Sequence, residues 1–237
     1  MNIPDYHARI INNGRVEFET RAVVGADKDD QRSPEFSDMI EHMVVNPSWN
    51  VPYSIAVKEY LPQLQQDPNA VGHLTLLDDT GALVDRTSVD FTTLDEGNFP
   101  FRLKQFPSEG NALGNVKFMF PNRYNIYLHD TPAKSLFSKD MRAHSHGCIR
   151  LADPAGFAHA LLSVQSSDPE AVFANALGGT EENYINLKEH VPVHLIYRTA
   201  VPLDNGRIGF RTDIYERDAQ IWQALAQEGV ALKVATR

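Results

Sequence analysis

One thiol stands in 237 residues: Cys148, inside the stretch 143–151, AHSHGCIRL, two positions after His146 and four after His144. A lone cysteine in such company has three chemistries open to it: metal ligand, buried filler or nucleophile. If residues 143–149 run extended, His144, His146 and Cys148 project from the same side, and three such donors suit zinc. Side chains alternating along one strand diverge, however, no second cysteine completes the set, and the next histidine, His159, falls on a predicted helix. No metal is therefore expected. A buried free thiol is the ordinary fate of a single cysteine. Gly147 argues against that fate: a glycine before the thiol lets a ligand approach the backbone and leaves the N–H groups of Gly147 and Cys148 free to hold an oxyanion.

A thiol nucleophile also needs a base within reach, oriented by a third group. His129 is the candidate. The segment RYNIYLHD alternates, with Tyr124, Ile126 and Leu128 on one face and Asn125, Tyr127 and His129 on the other. It runs into the turn Asp130-Thr131-Pro132, whose free carbonyls can orient an imidazole. Taken alone, His129 is an ordinary strand-end histidine bonded to a turn; paired with Cys148 on a neighbouring strand, it becomes a general base.

The elements that must position this pair form a β-rich α+β domain. YHARII, the turn Asn12-Asn13-Gly14 and RVEFETRAVVG predict a hairpin. In its second strand Val16, Phe18, Ala22 and Val24 share one face, and Glu17, Glu19 and Arg21 the other. A polar connection, 26–34, follows. From 36 to 107 the character changes: NPSWNVP is rich in turn residues, SIAVKEYLPQLQQDP is a short helix interrupted by Pro62, and HLTLLDDTGALVDRT reads as two strands about a turn. This block interrupts a β domain that resumes at NVKFMF. It is expected to be an inserted cap or lid, with too few apolar runs for a core of its own. Asp153 with Pro154, and Asp168 with Pro169, start two helices, the second ending at Gly178-Gly179. A second hairpin turns at Leu203-Asp204-Asn205-Gly206, and a last helix near 217–227 carries Ile221, Trp222 and Leu225 on its expected inner face.

Composition narrows the partners. Thirty-one acidic residues against 22 basic ones give a net charge of −9, and no basic cluster breaks that balance, so neither nucleic acid nor an anionic lipid surface is expected. No run of eighteen apolar residues is available to span a membrane. A single cysteine excludes an internal disulfide and leaves the redox compartment open. No secretory signal is recognisable, and a processed chain would look the same.

The pattern His129-Asp130-Thr131-Pro132 followed by Ser145-His146-Gly147-Cys148-Ile149-Arg150-Leu151, with fifteen residues between His129 and Ser145, resembles the signature of the L,D-transpeptidases of the YkuD-domain family. NALGNVKFMFPNRYNIYLHDTP, MRAHSHGCIRL and NPSWNVP are similar to the larger Gram-negative, YcbB-like subgroup, whose catalytic domain carries an inserted mobile cap. The resemblance implies that residues 1–237 are a catalytic domain, a YkuD-like mixed or antiparallel β-sandwich with a few helices, and that 36–107 is its cap. Members of the subgroup usually have upstream substrate-recruiting segments, whereas this chain starts at the catalytic domain.

Carried over residue by residue, the resemblance makes Cys148 the acyl acceptor and His129 its base, oriented by the carbonyl of Asp130. His146 would support the oxyanion region or the tautomer network, and the N–H groups of Gly147 and Cys148 would hold the oxyanion. Tyr127, Arg150, Ser145, Asp130 and Trp49 complete the implied substrate-binding set. Arg150 is equally an ordinary ion-pair partner, and Trp49 equally a core residue. The implied reaction cleaves the bond after the third residue of a peptidoglycan stem tetrapeptide and passes the acyl group to the diamino acid of another stem. It needs no cofactor and places the protein in the periplasm or cell envelope. The same nucleophile would serve a hydrolase, an L,D-carboxypeptidase or endopeptidase, if water accepted the acyl group. A non-enzymatic binding module would require the His–Cys pairing to be coincidence.

Overall fold

The computed structural model describes residues 1–28, 30–203 and 205–230. In chain order its strands are β1 (His7–Asn12), β2 (Arg15–Gly25), β3 (Phe36–Val45), β4 (Trp49–Asn50), β5 (Thr75–Leu77), β6 (Arg102–Gln105), β7 (Val116–Met119), β8 (Leu128–His129), β9 (Ala143–Ser145), β10 (Ile149–Leu151), β11 (Asn183–Leu195), β12 (Ala200–Pro202) and β13 (Ile208–Phe210). The helices are α1 (Tyr53–Ile55), α2 (Leu61–Gln66), α3 (Pro154–Ser163), α4 (Pro169–Leu177) and α5 (Arg217–Gln227). The α+β, β-rich class expected from the sequence is the one observed.

The main sheet runs β1-β2-β10-β8-β7-β3-β11, with β9 added beside β2. The predicted first hairpin is present, its turn made possible by the positive φ of Asn13 and Gly14. The sheet curls so that both of its ends face one apolar cavity of about 270 Å³: Ala8 and Ile10 of β1 and Val191 and Val193 of β11 meet over Leu128, with α3 supplying Phe157 and Leu161. Backbone bonds from Ile3 N to Ile196 O (2.8 Å) and from Ile196 N to Met1 O (3.0 Å) tie the two ends together. The resulting sandwich encloses Met43, Phe118, Phe120, Leu128 and Ile149, and Phe157 of α3 packs edge-on against Phe118 at 4.8 Å. Both predicted helix starts hold: Asp153 and Asp168 each accept a bond from the N–H three residues on (Gly156 and Ala171, 2.9 Å each), ahead of Pro154 and Pro169.

The inserted block begins later than expected. Residues 36–45 are β3, hydrogen-bonded between β7 and β11 in the main sheet; both partners lie far along the chain, so no local pattern announces the pairing. Beyond β3 a second unit does form, and it has its own core, contrary to the expectation. Leu61, Leu64, Val71, Leu74, Leu76, Phe91, Phe99 and Leu103 cluster apart from the main core, under a three-stranded sheet β4-β6-β5. Three of its aromatic rings, Phe91 on a single 3-10 turn and Phe99 and Phe101 on irregular chain, pack edge-on, which is why counting apolar runs missed it. HLTLLDDTGALVDRT provides one strand, β5, and a single bridge, Leu77 to Leu83. Pro62, with no N–H to give, is accommodated by a π turn at Ala56–Tyr60 between α1 and α2. At the neck of the insertion the fully buried Asn111 bonds the carbonyls of Pro47 (3.0 Å) and Phe106 (3.1 Å), joining the outgoing and returning chain.

Two further expectations are corrected. Residues 143–149 are not one strand: β9 runs parallel beside β2 at Val24–Gly25, and β10 runs antiparallel beside Ala22 and Val23. The chain thus arches over the end of β2 at 146–148, so His144, His146 and Cys148 do not share a strand face. On α5 the apolar side is not inward, since Ile221, Trp222 and Leu225 are all exposed. The 3.6-residue period identifies a face without saying whether anything covers it. The second hairpin forms as β12 and β13; Asp204 of its turn lies outside the described residues.

Candidate active site

β8 and β10 are parallel neighbours, with Leu128 opposite Ile149 and His129 opposite Arg150. Residues two apart on a strand share a face, so this register puts Tyr127 and Cys148, as well as His129 and Arg150, on the face away from the core. All four line a cleft of about 740 Å³. The alternation read in the sequence therefore holds over 126–129. It breaks just before, where Asn125 adopts a positive φ of 54° and turns its carbonyl toward the Cys148 thiol at 3.7 Å. Asparagine is one of the few residues that accept that conformation, the one sequence signal that could have placed this turn.

His129 is buried, and its Nδ1 hydrogen-bonds the carbonyl of Asp130. A carbonyl oxygen can only accept, so Nδ1 carries the proton and Nε2 keeps its lone pair. The Asp130 carboxylate plays no part in the cleft. It accepts from Thr131 N (2.7 Å), Asn115 N (2.9 Å) and Lys134 Nζ (2.5 Å), which fixes the turn and hence the carbonyl. Asp130 meets the imidazole through its backbone carbonyl and is absent from the lining of the cleft.

Burial pushes the His129 imidazole down to about 3, helped by the positive charge of Arg150. Burial likewise pushes the Cys148 thiol up to about 11, against the stabilising effect of Tyr127, through backbone and hydroxyl, and of Arg150. At neutral pH both groups are neutral, and both line the same cleft. Such a pair holds no standing thiolate. Arg150 has a buried Nε with no partner among the described residues, a donor left over for an incoming acceptor such as a carboxylate.

The loop before the thiol is closed by Ser145. Its hydroxyl donates to Cys148 O (2.6 Å) and accepts from Gly147 N (3.1 Å). The expectation of two free N–H groups is reduced to one: Gly147 N is taken, while Cys148 N donates to no acceptor among the described residues. Gly147 itself sits at φ 108°, a conformation that favours glycine, and a Cβ there would come within 3.1 Å of Ile126. His146 does not reach the oxyanion region. Its Nε2 meets Glu59 Oε1 of the insertion at 2.5 Å, and beside it Lys58 pairs with Asp30 at 2.5 Å. His144 bonds the carbonyl of Met141 at 3.0 Å.

The insertion forms the opposite wall of the cleft. Trp49 lines it and packs edge-on against Tyr60 at 6.3 Å, so it serves both the wall and the insertion's own core. Glu59, Tyr60 and Tyr124 also line the cleft; nothing in their local sequence marked them.

A β-rich α+β sheet that offers a thiol and a correctly protonated histidine to one cleft is built as nucleophilic enzymes are. The family model "YkuD: L,D-transpeptidase catalytic domain" matches residues 1–194. A protein of Haemophilus influenzae named "Putative L,D-transpeptidase" is 34% identical over 223 residues, covering 93% of this chain and 44% of its own length. The chain belongs to the YkuD family of L,D-transpeptidase catalytic domains, and it spans less than half the length of that curated relative. Among the described residues no helix is long and apolar enough to cross a membrane.

Proposed function

We propose that this chain forms 3→3 cross-links in peptidoglycan through a cysteine acyl-enzyme, and that it works in the periplasm or cell envelope as a YcbB-like transpeptidase. Cys148 attacks the carbonyl of the L,D bond after the third residue of a stem tetrapeptide. His129 Nε2 takes the thiol proton and passes it to the leaving D-alanine nitrogen. The amine of a second stem's diamino acid then attacks the thioester, losing a proton to His129, and releases the thiol. Arg150 is assigned to a substrate carboxylate, and Tyr127 and Trp49 to the walls of the donor site. Residues 49–105 act as the cap.

The observation that carries this reading is the His129 tautomer, held by the Asp130 carbonyl so that its lone pair belongs to the cleft that contains Cys148. The test is incubation with purified tetrapeptide muropeptides and mass analysis of the products. Cross-linked dimers with loss of D-alanine, absent in Cys148→Ala, are expected. Release of D-alanine without dimers would replace the transferase with a hydrolase, and no product at all would remove both.

A further inference from the structure

The polar connection 26–34, which carried no expectation of function, runs beneath the catalytic arch. Within it Ser33 is fully buried. Its hydroxyl donates to the carbonyl of Gly147 at 2.7 Å and accepts from Gly25 N at 2.9 Å. Tyr215, also fully buried, closes the circuit from the far end of the chain: its hydroxyl donates to Gly25 O (2.7 Å) and accepts from Ser33 N (3.2 Å). The Tyr215 ring is stacked on Tyr197 at 5.5 Å, and the Tyr197 hydroxyl accepts from Tyr215 N at 2.9 Å. Gly25 is required by the packing, since a Cβ there would lie 2.0 Å from the carbonyl oxygen of Gln31.

The consequence for the thiol follows from peptide geometry. The described chain has no cis peptide bond, and across a trans peptide the C=O of one residue and the N–H of the next point in opposite directions. Gly147 O points down into the buried Ser33 hydroxyl, so Cys148 N–H points up, on the side where Cys148 lines the cleft. Gly147 N is already engaged by Ser145. We propose that Ser33, held by Tyr215, is the positioning residue that aims the Cys148 N–H at the oxyanion formed during acyl transfer. Loss of its hydroxyl leaves the Gly147 carbonyl without its donor and lets the 147–148 peptide rotate. The inference rests on the acyl-transfer reading above and adds to it the group that sets the oxyanion donor.

Two reagents separate this role from a merely structural one. Meropenem acylates through a tetrahedral oxyanion, whereas iodoacetamide alkylates the same thiol by direct displacement and forms none. In Ser33→Ala, acylation by meropenem, followed by intact mass, should slow about 10- to 100-fold, while alkylation by iodoacetamide stays within about twofold. Ser33→Thr, which keeps the hydroxyl, should recover most of the acylation rate. Tyr215→Phe keeps the ring and removes the clamp on Ser33, so it should show a smaller loss of the same selectivity; it also carries the test if Ser33→Ala does not fold. An unchanged acylation-to-alkylation ratio in the folded variants sinks the assignment of Ser33 alone. Wild-type protein inert to both meropenem and stem tetrapeptides sinks the acyl-transfer reading, and this assignment with it.

Discussion

At the scale of single residues the site's chemistry turns on burial. Cys148 and His129 are both held in their neutral forms, the thiol at about 11 and the imidazole at about 3, so the pair differs from cysteine sites that keep a thiolate–imidazolium ion pair at rest. Iodoacetamide should accordingly alkylate Cys148 about 100-fold more slowly at pH 7 than it alkylates free cysteine. The rate should keep climbing beyond pH 9; a plateau at neutral pH would show a standing thiolate instead. His129→Ala should lower acylation by meropenem about 10²- to 10⁴-fold while the protein remains folded, measured by intact mass and a thermal melt. His129 was legible because it ends a short alternating segment ahead of a turn with free carbonyls, and Cys148 because it is the one thiol and follows a glycine; the Asp130 carbonyl came from the resemblance. The capture of Gly147 N by Ser145, the turn of His146 toward Glu59 and the burial of Ser33 were not legible. Each depends on an arch whose two feet are set by pairing with β2, and nothing local in AHSHGCIRL distinguishes an arch from a strand.

Among the elements, the insertion is the most separable. Its core is distinct from the main one, and Asn111 fastens both of its chain crossings at one point. Replacing residues 49–105 with a short Gly-Ser linker should leave a folded domain with a thiol that meropenem still acylates. Cross-linking should fall relative to hydrolysis if, as proposed, the insertion caps the cleft and shields the thioester from water. A shortened protein that cross-links muropeptides as well as the intact chain would show that the insertion has no such role. Glu59→Ala, which removes the contact to His146, is expected to change acylation by less than about fivefold, since the pair is partly exposed; a loss of two orders of magnitude would move His146 into the reacting group. The sequence marked this block by composition, but it hid the boundary and the core. β3 looks local and pairs only with distant strands, and three rings of the second core, Phe91, Phe99 and Phe101, arrive from turns and irregular chain rather than from a periodic segment.

Across the whole molecule, the site sets how stability follows pH. In the unfolded chain His129 binds a proton as the pH falls below its ordinary 6.5, whereas the folded chain refuses it down to about 3. Unfolding therefore takes up a proton throughout that window, and stability falls with acidification. His129→Gln should flatten the acid limb of a stability curve by about one proton between pH 6.5 and 3, read from denaturant midpoints; an unchanged slope would place the imidazole in contact with water. The arch that carries Cys148 has a consequence of a different kind. Both of its feet are hydrogen-bonded to β2, a strand inside the sheet, and its underside is fastened to the fully buried Ser33, which Tyr215 holds in turn. Opening this loop should therefore disturb the centre of the sheet. The amide of Ile149, bonded to Tyr127 O at 3.1 Å, should then exchange with deuterium only through global unfolding, and heat should extinguish activity at the melting temperature of the domain, with no earlier loss.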